Sequence, residues 1–239
     1  YWPSRSSYFG IIDLAGLPKD RFYLYRSRWN TEQPTLHLLP HWTWPGREGE
    51  TTPVYCYTSY DEAELFVNGK SQGRIKKDRT SRLDRYRLRW NKVAYEPGEI
   101  KVIAYDKNGK PVAEETIKTA GKPARIECRV QSVPDGRTDN CMNADGNDLC
   151  YVTVSVVDKD GNLCPTATNQ LNFSVRGAAQ FKAVCNGDAT SLEPFSKPTM
   201  KAFGGQLVVT LQSLRQAGEA ALTVTGKGLK AATLKLHVK

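Results

Sequence analysis

Residues 9–44, FGIIDLAGLPKDRFYLYRSRWNTEQPTLHLLPHWTW, decide how the rest of the chain is organised. Pro18 stands where the first residue of a helix is expected. Aromatic residues then recur at i, i+3 and i+7, at Phe22, Tyr25 and Trp29. This spacing predicts a helix over residues 18–29 whose aromatic stripe faces a partner. Beyond residue 35 the pattern changes to strands and turns, so one helix precedes a mainly β chain.

Residues 34–119 show short alternating runs with turn signals between them, which predicts a first β-sandwich. Asn68-Gly69 separates two strand-like runs and is the strongest short hairpin signal. YRLRWNKVAY, residues 86–95, is predicted as another strand, with Tyr86, Leu88 and Trp90 on one face and arginines on the other.

Gly121-Lys122-Pro123 is predicted to be a linker, after which the strand pattern restarts. About seven strand-like runs follow, with polar loops between them, as in immunoglobulin-like sandwiches. The buried Trp and spaced Cys pair of antibody domains are missing, so this likeness concerns architecture. The predicted fold is therefore mainly β, with two immunoglobulin-like β-sandwiches in tandem.

The 239 residues carry a formal net charge of +9 and an ordinary charged fraction of 25%, which excludes a disordered chain. No apolar run reaches the roughly 18 residues of a membrane span. The chain opens on Tyr1-Trp2-Pro3 without a signal-peptide pattern, and we interpret it as a piece of a longer polypeptide.

Six cysteines are present, five of them after residue 120. No pair has zinc-site spacing. Cys141 with Cys150 and Cys164 with Cys185 are candidate disulfides, and thiols that serve as small core residues are an equal alternative. Disulfides would indicate a periplasmic or extracellular location, which the sequence otherwise leaves unknown.

Three local motifs favour turns over chemistry. Gly69-Lys70-Ser71-Gln72-Gly73 matches G-x-S-x-G, but it starts in a hairpin and enters a strand, where a nucleophile elbow needs a helix. Residues 158–162, DKDGN, resemble the start of a calcium loop with its glycine misplaced, so a hairpin turn is favoured. The histidines at 37 and 41 form no metal cluster, and neither a metal nor a cofactor is predicted.

Residues 74–89 contain eight Lys or Arg against two Asp. Such a strip suits a solvated face or a domain contact, and alternatively an anionic polysaccharide. Arg85, Arg87 and Arg89 are the candidate anionic-glycan contacts. The aromatic residues are predicted on the opposite face from these arginines, which argues against nucleic acid. A retaining glycosidase needs two carboxyl groups about 5 Å apart, and no such pair is evident.

Long motifs of the chain resemble glycoside hydrolase family 2, in its β-galactosidase branch. YWPSRSSYFGIIDLAGLPKDRFYLYRSRW and LHLLPHWTWPG resemble the end of the family's catalytic (β/α)8 barrel. AELFVNGKSQG and WNKVAYEPGEIKVIAYDKNGK resemble the β-sandwich that follows the barrel, and ADGNDLCYVTVSVVDKDGNLCPTATNQLNFSV resembles the C-terminal immunoglobulin-like domain. The resemblance implies three parts: residues 1–33 as the barrel's end, 34–120 as one sandwich and 121–239 as the other.

The resemblance also implies what the chain does. The family's catalytic glutamates lie on earlier barrel strands, so no catalytic residue is carried over and the isolated chain is predicted to be inactive. Trp2, Arg5 and Asp13 are carried over as candidate substrate contacts near the carboxyl-end face of the barrel, while Phe9, Ile11 and Ile12 are expected to pack in it.

The expected function is thus that of the C-terminal region of a retaining exo-β-glycosidase, most consistent with a β-galactosidase. The expected partners are a β-galactoside or related glycan, bound through the parent barrel, and upstream domains of the same polypeptide. No nucleic acid and no membrane span are expected. The alternative is a non-catalytic carbohydrate-binding or adhesin-like module.

Overall fold

The computed structural model describes residues 9–131 and 140–239 and divides them between two compact units. The first unit is Pro18–Thr119, and the second combines residues 9–17 with Ala120–Lys239. Each unit holds two sheets around its own apolar core, which confirms the predicted mainly β fold. No helix among the described residues is long and apolar enough to cross a membrane.

The first unit, which we call the first sandwich, contains one helix and seven strands in its fully described 102-residue span from Pro18 to Thr119. They are α1 Asp20–Trp29, β1 Leu36–Leu39, β2 Val54–Thr58, β3 Glu62–Val67, β4 Lys70–Lys76, β5 Leu88–Trp90, β6 Glu99–Tyr105 and β7 Pro111–Lys118. One sheet has the order β1-β2-β5 and the other β4-β3-β6-β7, and all pairs are antiparallel.

Alternating burial along the strands forms the first core. In β6, Ile100, Val102 and Ala104 are fully buried while the residues between them are half-buried. Trp42 and Tyr95 meet edge to face in that core, with ring centroids 5.1 Å apart. The hairpin predicted at Asn68-Gly69 is confirmed between β3 and β4, because both residues adopt the positive φ that such a turn requires.

Helix α1 differs from its prediction at its start and in its buried face. It begins at Asp20, because Lys19 is extended, and ends at Trp29 as predicted. Two residues of the predicted stripe point outward, with Tyr25 37% and Trp29 75% exposed, while the third, Phe22, is half-buried against Tyr23. The helix instead packs on β1 and β2 through Tyr23, which stacks on His37, and through the buried Ser27.

The second unit, the second sandwich, places nine strands among its described residues. They are β8 Arg125–Val130, β9 Cys141–Met142, β10 Leu149–Val157, β11 Gln170–Gly177, β12 Ala179–Cys185, β13 Thr199–Lys201, β14 Gln206–Ser213, β15 Gly218–Gly226 and β16 Ala232–Val238. The sheet orders are β12-β14-β10-β8 and β13-β11-β15-β16-β9. β16 and β9 run parallel, and the other pairs are antiparallel.

The strand predicted over residues 86–95 of the first sandwich is much shorter in the structure, where β5 covers only Leu88–Trp90 of that region.

Residues 9–17 group with the second sandwich, whereas helix α1 groups with the first. The predicted extent of the barrel's end, residues 1–33, therefore stays a prediction about a longer protein. The boundary between the two units lies at Thr119/Ala120, next to the predicted linker.

Candidate functional site

The three predicted substrate contacts fall at the start of the chain. Trp2 and Arg5 lie outside the described residues. Asp13 is half-buried at the start of a turn, where its Oδ1 accepts hydrogen bonds from the backbone N–H groups of Ala15 and Leu17, each at 2.9 Å. Asp13 thus holds the predicted turn at residues 13–16, with Gly16 in the left-handed region at φ 82°. Substrate contact by Asp13 stays a prediction.

The Asp13 turn lies against the loop that follows β12. A Cβ at Gly187 would collide with the Asp13 carboxylate, so the Asp13 side chain occupies the space that a side chain at position 187 would need. The thiol of Cys185 also lies 3.4 Å from the Leu14 carbonyl oxygen. The sequence shows Gly187 as one glycine among many, and only the fold reveals its contact.

The same loop lines an open cleft of about 550 Å³ in the second sandwich. Its floor includes Asn186, which is buried and donates from Nδ2 to the Lys201 carbonyl oxygen at 2.9 Å. Its apolar walls include Leu192 and Phe203, which are 70% and 51% exposed. The cleft is within the size range of small-molecule sites.

Charged groups stand beside these apolar walls. Asp188, Glu193 and Lys201 all line the cleft. Asp188 Oδ1 accepts from Thr190, and the Glu193 carboxylate accepts from the Lys201 N–H at 3.3 Å, so both carboxylates are held in fixed positions. An aromatic face with fixed oxygen and nitrogen groups suits a ligand with both C–H and hydroxyl surfaces. Sequence analysis did not detect this cleft, because its residues come from separate loops.

The predicted anionic-glycan contacts are only partly brought together. Arg89 is a partner of Asp84, with Nη2 to Oδ2 at 2.8 Å and a second contact from Nε to Oδ1. The hydrogen bond from Arg89 lowers the pKa of the Asp84 carboxyl and outweighs burial, which would raise it. Arg85 and Arg87 precede β5 in a loop, where the Arg85 guanidinium lies 4.7 Å from the centre of the Tyr86 ring.

Two further cations lie in this region: Arg28, which sequence analysis did not assign to it, and Lys77 of the basic strip. Arg28, in the last turn of α1, places its guanidinium carbon 5.5 Å from the centre of the same Tyr86 ring. Lys77 donates to the Thr58 carbonyl oxygen at 2.6 Å. Arg28 appears in the sequence as an ordinary basic residue at a helix C-terminus, so only the fold identifies its neighbours.

Carboxylates in the first sandwich surround a histidine. His37 Nε2 lies 2.9 Å from Asp20 Oδ1, and its Nδ1 lies 3.8 Å from Glu115 Oε1. Glu115 Oε2 also accepts from the Leu38 N–H at 2.7 Å, while burial raises the pKa of the Glu115 carboxyl. This cluster joins α1, β1 and β7.

His41 lies in the same sandwich and stacks on Trp44, with ring centroids 4.1 Å apart. Burial lowers the pKa of His41. In the described residues no three His, Cys, Asp or Glu side chains are placed to hold a metal ion.

The local motifs are turns and strands. Ser71, the central serine of G-x-S-x-G, lies on β4 and donates to Glu64 Oε1 at 2.6 Å, so no nucleophile elbow forms. The Asp158 carboxylate accepts four hydrogen bonds, from the backbone N–H groups of Gly121, Asp160 and Asn162 and from the side-chain amide of Asn162. Residues 158–162 are therefore a turn closed by the Asp158 carboxylate.

All six cysteines are thiols in the structure, so the candidate Cys141–Cys150 and Cys164–Cys185 disulfides are wrong. Cys56, Cys150 and Cys164 are buried and fill core positions, and burial raises the pKa of Cys56 to about 12. Cys150 is opposite Leu211 in the β10–β14 ladder, which directs it to that core. The disulfides on which the expected location depended are not formed.

Two family models match the chain. One is described as glycoside hydrolase family 2 C-terminal domain 5 and matches residues 137–235. The other is described as a domain of unknown function, DUF4982, and matches residues 49–113. Each match lies within one of the two sandwiches.

Curated relatives match along the chain. Beta-galactosidase BoGH2A of Bacteroides ovatus is 50% identical, over 100% of this chain and 26% of its own length. A putative beta-glucuronidase of Formosa agariphila is 32% identical, over 89% of this chain and 20% of its own length. The chain thus spans about a fifth to a quarter of the length of these relatives.

Solved structures share the fold. A beta-glycosidase from Bacteroides vulgatus superposes with a TM-score of 0.89 and 37% identity, over 99% of this chain and 29% of that one. A glycosyl hydrolase family 2 member from Bacteroides cellulosilyticus gives a TM-score of 0.84 and 27% identity, over 96% of this chain and 31% of that one.

Proposed function

The chain belongs to glycoside hydrolase family 2, as a C-terminal portion of that family's enzymes, and we propose that the full-length protein is a retaining β-glycosidase that hydrolyses O-glycosyl bonds. The observation that carries this proposal is the match of both sandwiches, at 50% identity over 100% of this chain, to one β-galactosidase. In this proposal the two catalytic carboxylates, which such enzymes need about 5 Å apart, belong to the rest of the protein.

We propose β-galactosidase as the specific activity. The identity of 50% with a β-galactosidase exceeds the 32% and 28% found with β-glucuronidases, which supports this choice. The test is turnover of p-nitrophenyl β-galactoside and p-nitrophenyl β-glucuronide by the full-length protein. We expect release from the galactoside and none from the 239-residue chain alone. Preference for the glucuronide would refute the galactosidase assignment, and turnover by the isolated chain would refute the placement of the carboxylates.

We propose that the two sandwiches support the catalytic barrel of the full-length protein and shape the access of its substrate. The outward aromatic face of α1 supports this role. The Trp29 side chain is 75% exposed, and among the described residues it stacks on Tyr25, with ring centroids 4.8 Å apart. Exposed aromatic faces of this kind are typical of surfaces that meet another protein segment.

Trp29→Ser tests whether this face is covered in the full-length protein and exposed in the 239-residue chain. We expect the substitution to lower the Tm of the full-length protein by several degrees and to leave the Tm of the 239-residue chain nearly unchanged, because only the former supplies a covering surface. Tyr151→Ser, at a 39% exposed aromatic residue of the second sandwich, is the matched control. Equal effects of Trp29→Ser on both proteins would contradict the supporting role.

A second candidate function is non-catalytic carbohydrate binding, which the cleft of the second sandwich favours. Phe203 offers an exposed ring beside fixed carboxylates, the pairing of apolar and polar surface that a sugar ring requires. Binding of the 239-residue chain to a glycan array tests it. Signals abolished by Phe203→Ser and kept by Tyr151→Ser would favour this function, and an empty array would refute it.

A further inference from the structure

Carboxylates next to the basic strip at residues 74–89 are already paired. Glu62 lies 2.8 Å from Arg74 and 3.5 Å from Lys76. Asp61 lies 2.9 Å from Arg79. Asp84 holds Arg89 in two contacts. Glu62, Asp61 and Asp84 are therefore paired with four cations of the strip, whereas the Asp78 carboxylate accepts hydrogen bonds from Thr80.

Two of the remaining cations, Arg85 of the strip and Arg28 of α1, lie over one aromatic ring. The guanidinium carbons of Arg28 and Arg85 lie 5.5 and 4.7 Å from the centre of the Tyr86 ring. Among the described residues neither arginine forms a salt bridge, although both remain exposed. Arg28 comes from α1 and Arg85 from the loop before β5, so the fold places two like charges together across more than fifty residues of sequence.

Lys77 adds a third positive charge. Its ammonium is partly buried and donates to the Thr58 carbonyl oxygen at 2.6 Å. Burial chiefly lowers the pKa of Lys77 to about 8. The nearby Asp61 carboxylate raises this pKa and the nearby charge of Arg28 lowers it, so Lys77 is attracted to Asp61 and repelled by Arg28. Like charges held together in this way cost free energy unless a bound anion compensates them.

Arg87 lies at a second ring, that of Tyr55, whose centre is 5.7 Å from the guanidinium carbon, and its charge also acts on Asp84. Its Nε is buried and donates to no acceptor in the described structure. Sequence reasoning grouped Arg85, Arg87 and Arg89, whereas the structure withdraws Arg89 to Asp84 and adds Arg28 and Lys77.

We propose that Arg28, Lys77, Arg85 and Arg87 form an anion-binding site for the carboxylate or sulfate groups of an acidic saccharide. Guanidinium groups bind such oxyanions through paired, charge-assisted hydrogen bonds. The choice of a saccharide rests on the proposed glycosidase function, whereas the anion site rests on the cations alone. A nucleic acid is disfavoured, because two guanidinium groups already lie over the Tyr86 ring that a base would need for stacking.

Calorimetric titration of the 239-residue chain with tetragalacturonate tests the site, with neutral galactotetraose as the reference ligand. We expect tetragalacturonate alone to bind and the affinity to fall as salt is raised. Arg28→Gln and Arg85→Gln should each weaken binding by about tenfold, the effect of one lost charge-assisted contact. Arg79→Gln and Arg47→Gln are matched controls, because each removes one exposed cation already paired with a carboxylate, and both should change affinity by less than about twofold.

Three results would overturn the proposal. Equal weakening by Arg79→Gln would mean that net charge, not this cluster, attracts the ligand. Equal binding of galactotetraose would remove the role of the anion, and tighter binding of single-stranded oligothymidylate than of tetragalacturonate would replace the saccharide by nucleic acid. The titration involves no turnover, so its failure would leave the glycosidase proposal intact, and loss of that activity would leave the anion site intact. Unchanged Tm values for Arg28→Gln and Arg85→Gln exclude unfolding as the cause of weaker binding.

Discussion

At the scale of single residues, Asp158 shows how one carboxylate closes the turn that the sequence predicted at residues 158–162. Its carboxylate is almost fully buried, which by itself raises the pKa, but hydrogen bonds from Gly121, Asn162 and Asp160 outweigh burial and lower the pKa to about 2. Every donor around it belongs to the chain. The carboxylate therefore stabilises the second sandwich through hydrogen bonds that the chain itself supplies.

Asp158→Asn should lower the free energy of unfolding by about 2 kcal/mol or more at pH 7, because an amide cannot accept all four hydrogen bonds. The folded-state pKa lies below the unfolded value, so this stabilisation is present above about pH 4 and is lost as the pH falls towards 2. Urea unfolding of both proteins at pH 7 and pH 3 measures it. Asp160→Asn, exposed in the same turn, is the control and should change stability little, and a pH-independent difference for Asp158→Asn would contradict the assignment.

Gly187 illustrates a residue whose importance only its neighbour reveals. Gly187→Ala should destabilise the second sandwich by about 1–3 kcal/mol, because the added Cβ would collide with the Asp13 carboxylate. Thermal unfolding of the variant measures the loss, and Gly187→Ala combined with Asp13→Ala should recover part of it. Gly16→Ala is not a suitable control. An added Cβ at Gly16 would meet no atom within 4 Å, but its positive φ would strain an alanine there. An unchanged Tm for Gly187→Ala would show that the turn at Asp13 moves aside without cost.

At the scale of elements, helix α1 shows that periodicity located a helix but not its buried side. The i, i+3, i+7 aromatic spacing correctly indicated a helix ending at Trp29. The buried side is instead chosen by Tyr23, whose ring stacks on His37 with centroids 3.8 Å apart, and by Ser27, whose carbonyl oxygen accepts from Ser59 Oγ at 3.1 Å.

Tyr23→Ala should therefore destabilise the first sandwich by about 2 kcal/mol, through the loss of a stacked and half-buried ring. Tyr25→Ala should cost about 0.5 kcal/mol or less in the same chain, since it removes one exposed i, i+4 aromatic pair. Urea unfolding of the two variants gives the comparison. A larger loss for Tyr25→Ala would mean that the outward face of α1 is covered in solution.

At the scale of the whole molecule, each sandwich is held by its own apolar core, and the thiols belong to those cores. Cys56 lies in the first core, while Cys150 and Cys164 lie in the second. Each core is large enough to be stable without a covalent link, as is usual for domains of this length.

Labelling the denatured chain with a thiol reagent, without prior reduction, should consequently count six thiols per molecule. In the native chain Cys56 should react last, since burial raises its pKa to about 12 and leaves almost no thiolate at neutral pH. A Cys56→Ala variant, which should count five, calibrates the assay. A count of four or fewer in the unreduced wild-type chain would contradict the all-thiol structure.

Alternation and turn residues in the sequence were sufficient to predict the two sandwiches, the Asn68-Gly69 hairpin and the 158–162 turn, because strand period and positive-φ turns depend on neighbouring residues. Resemblance of long motifs, not local chemistry, indicated the family. The sequence could not show that Arg28 joins Arg85 at the Tyr86 ring, that Asp84 neutralises Arg89, or that Asp13 and Gly187 touch. Those facts depend on contacts between residues far apart in the chain, which are set by how the sheets pack. Local pattern therefore determined which elements form, and tertiary packing alone decided which charges lie together.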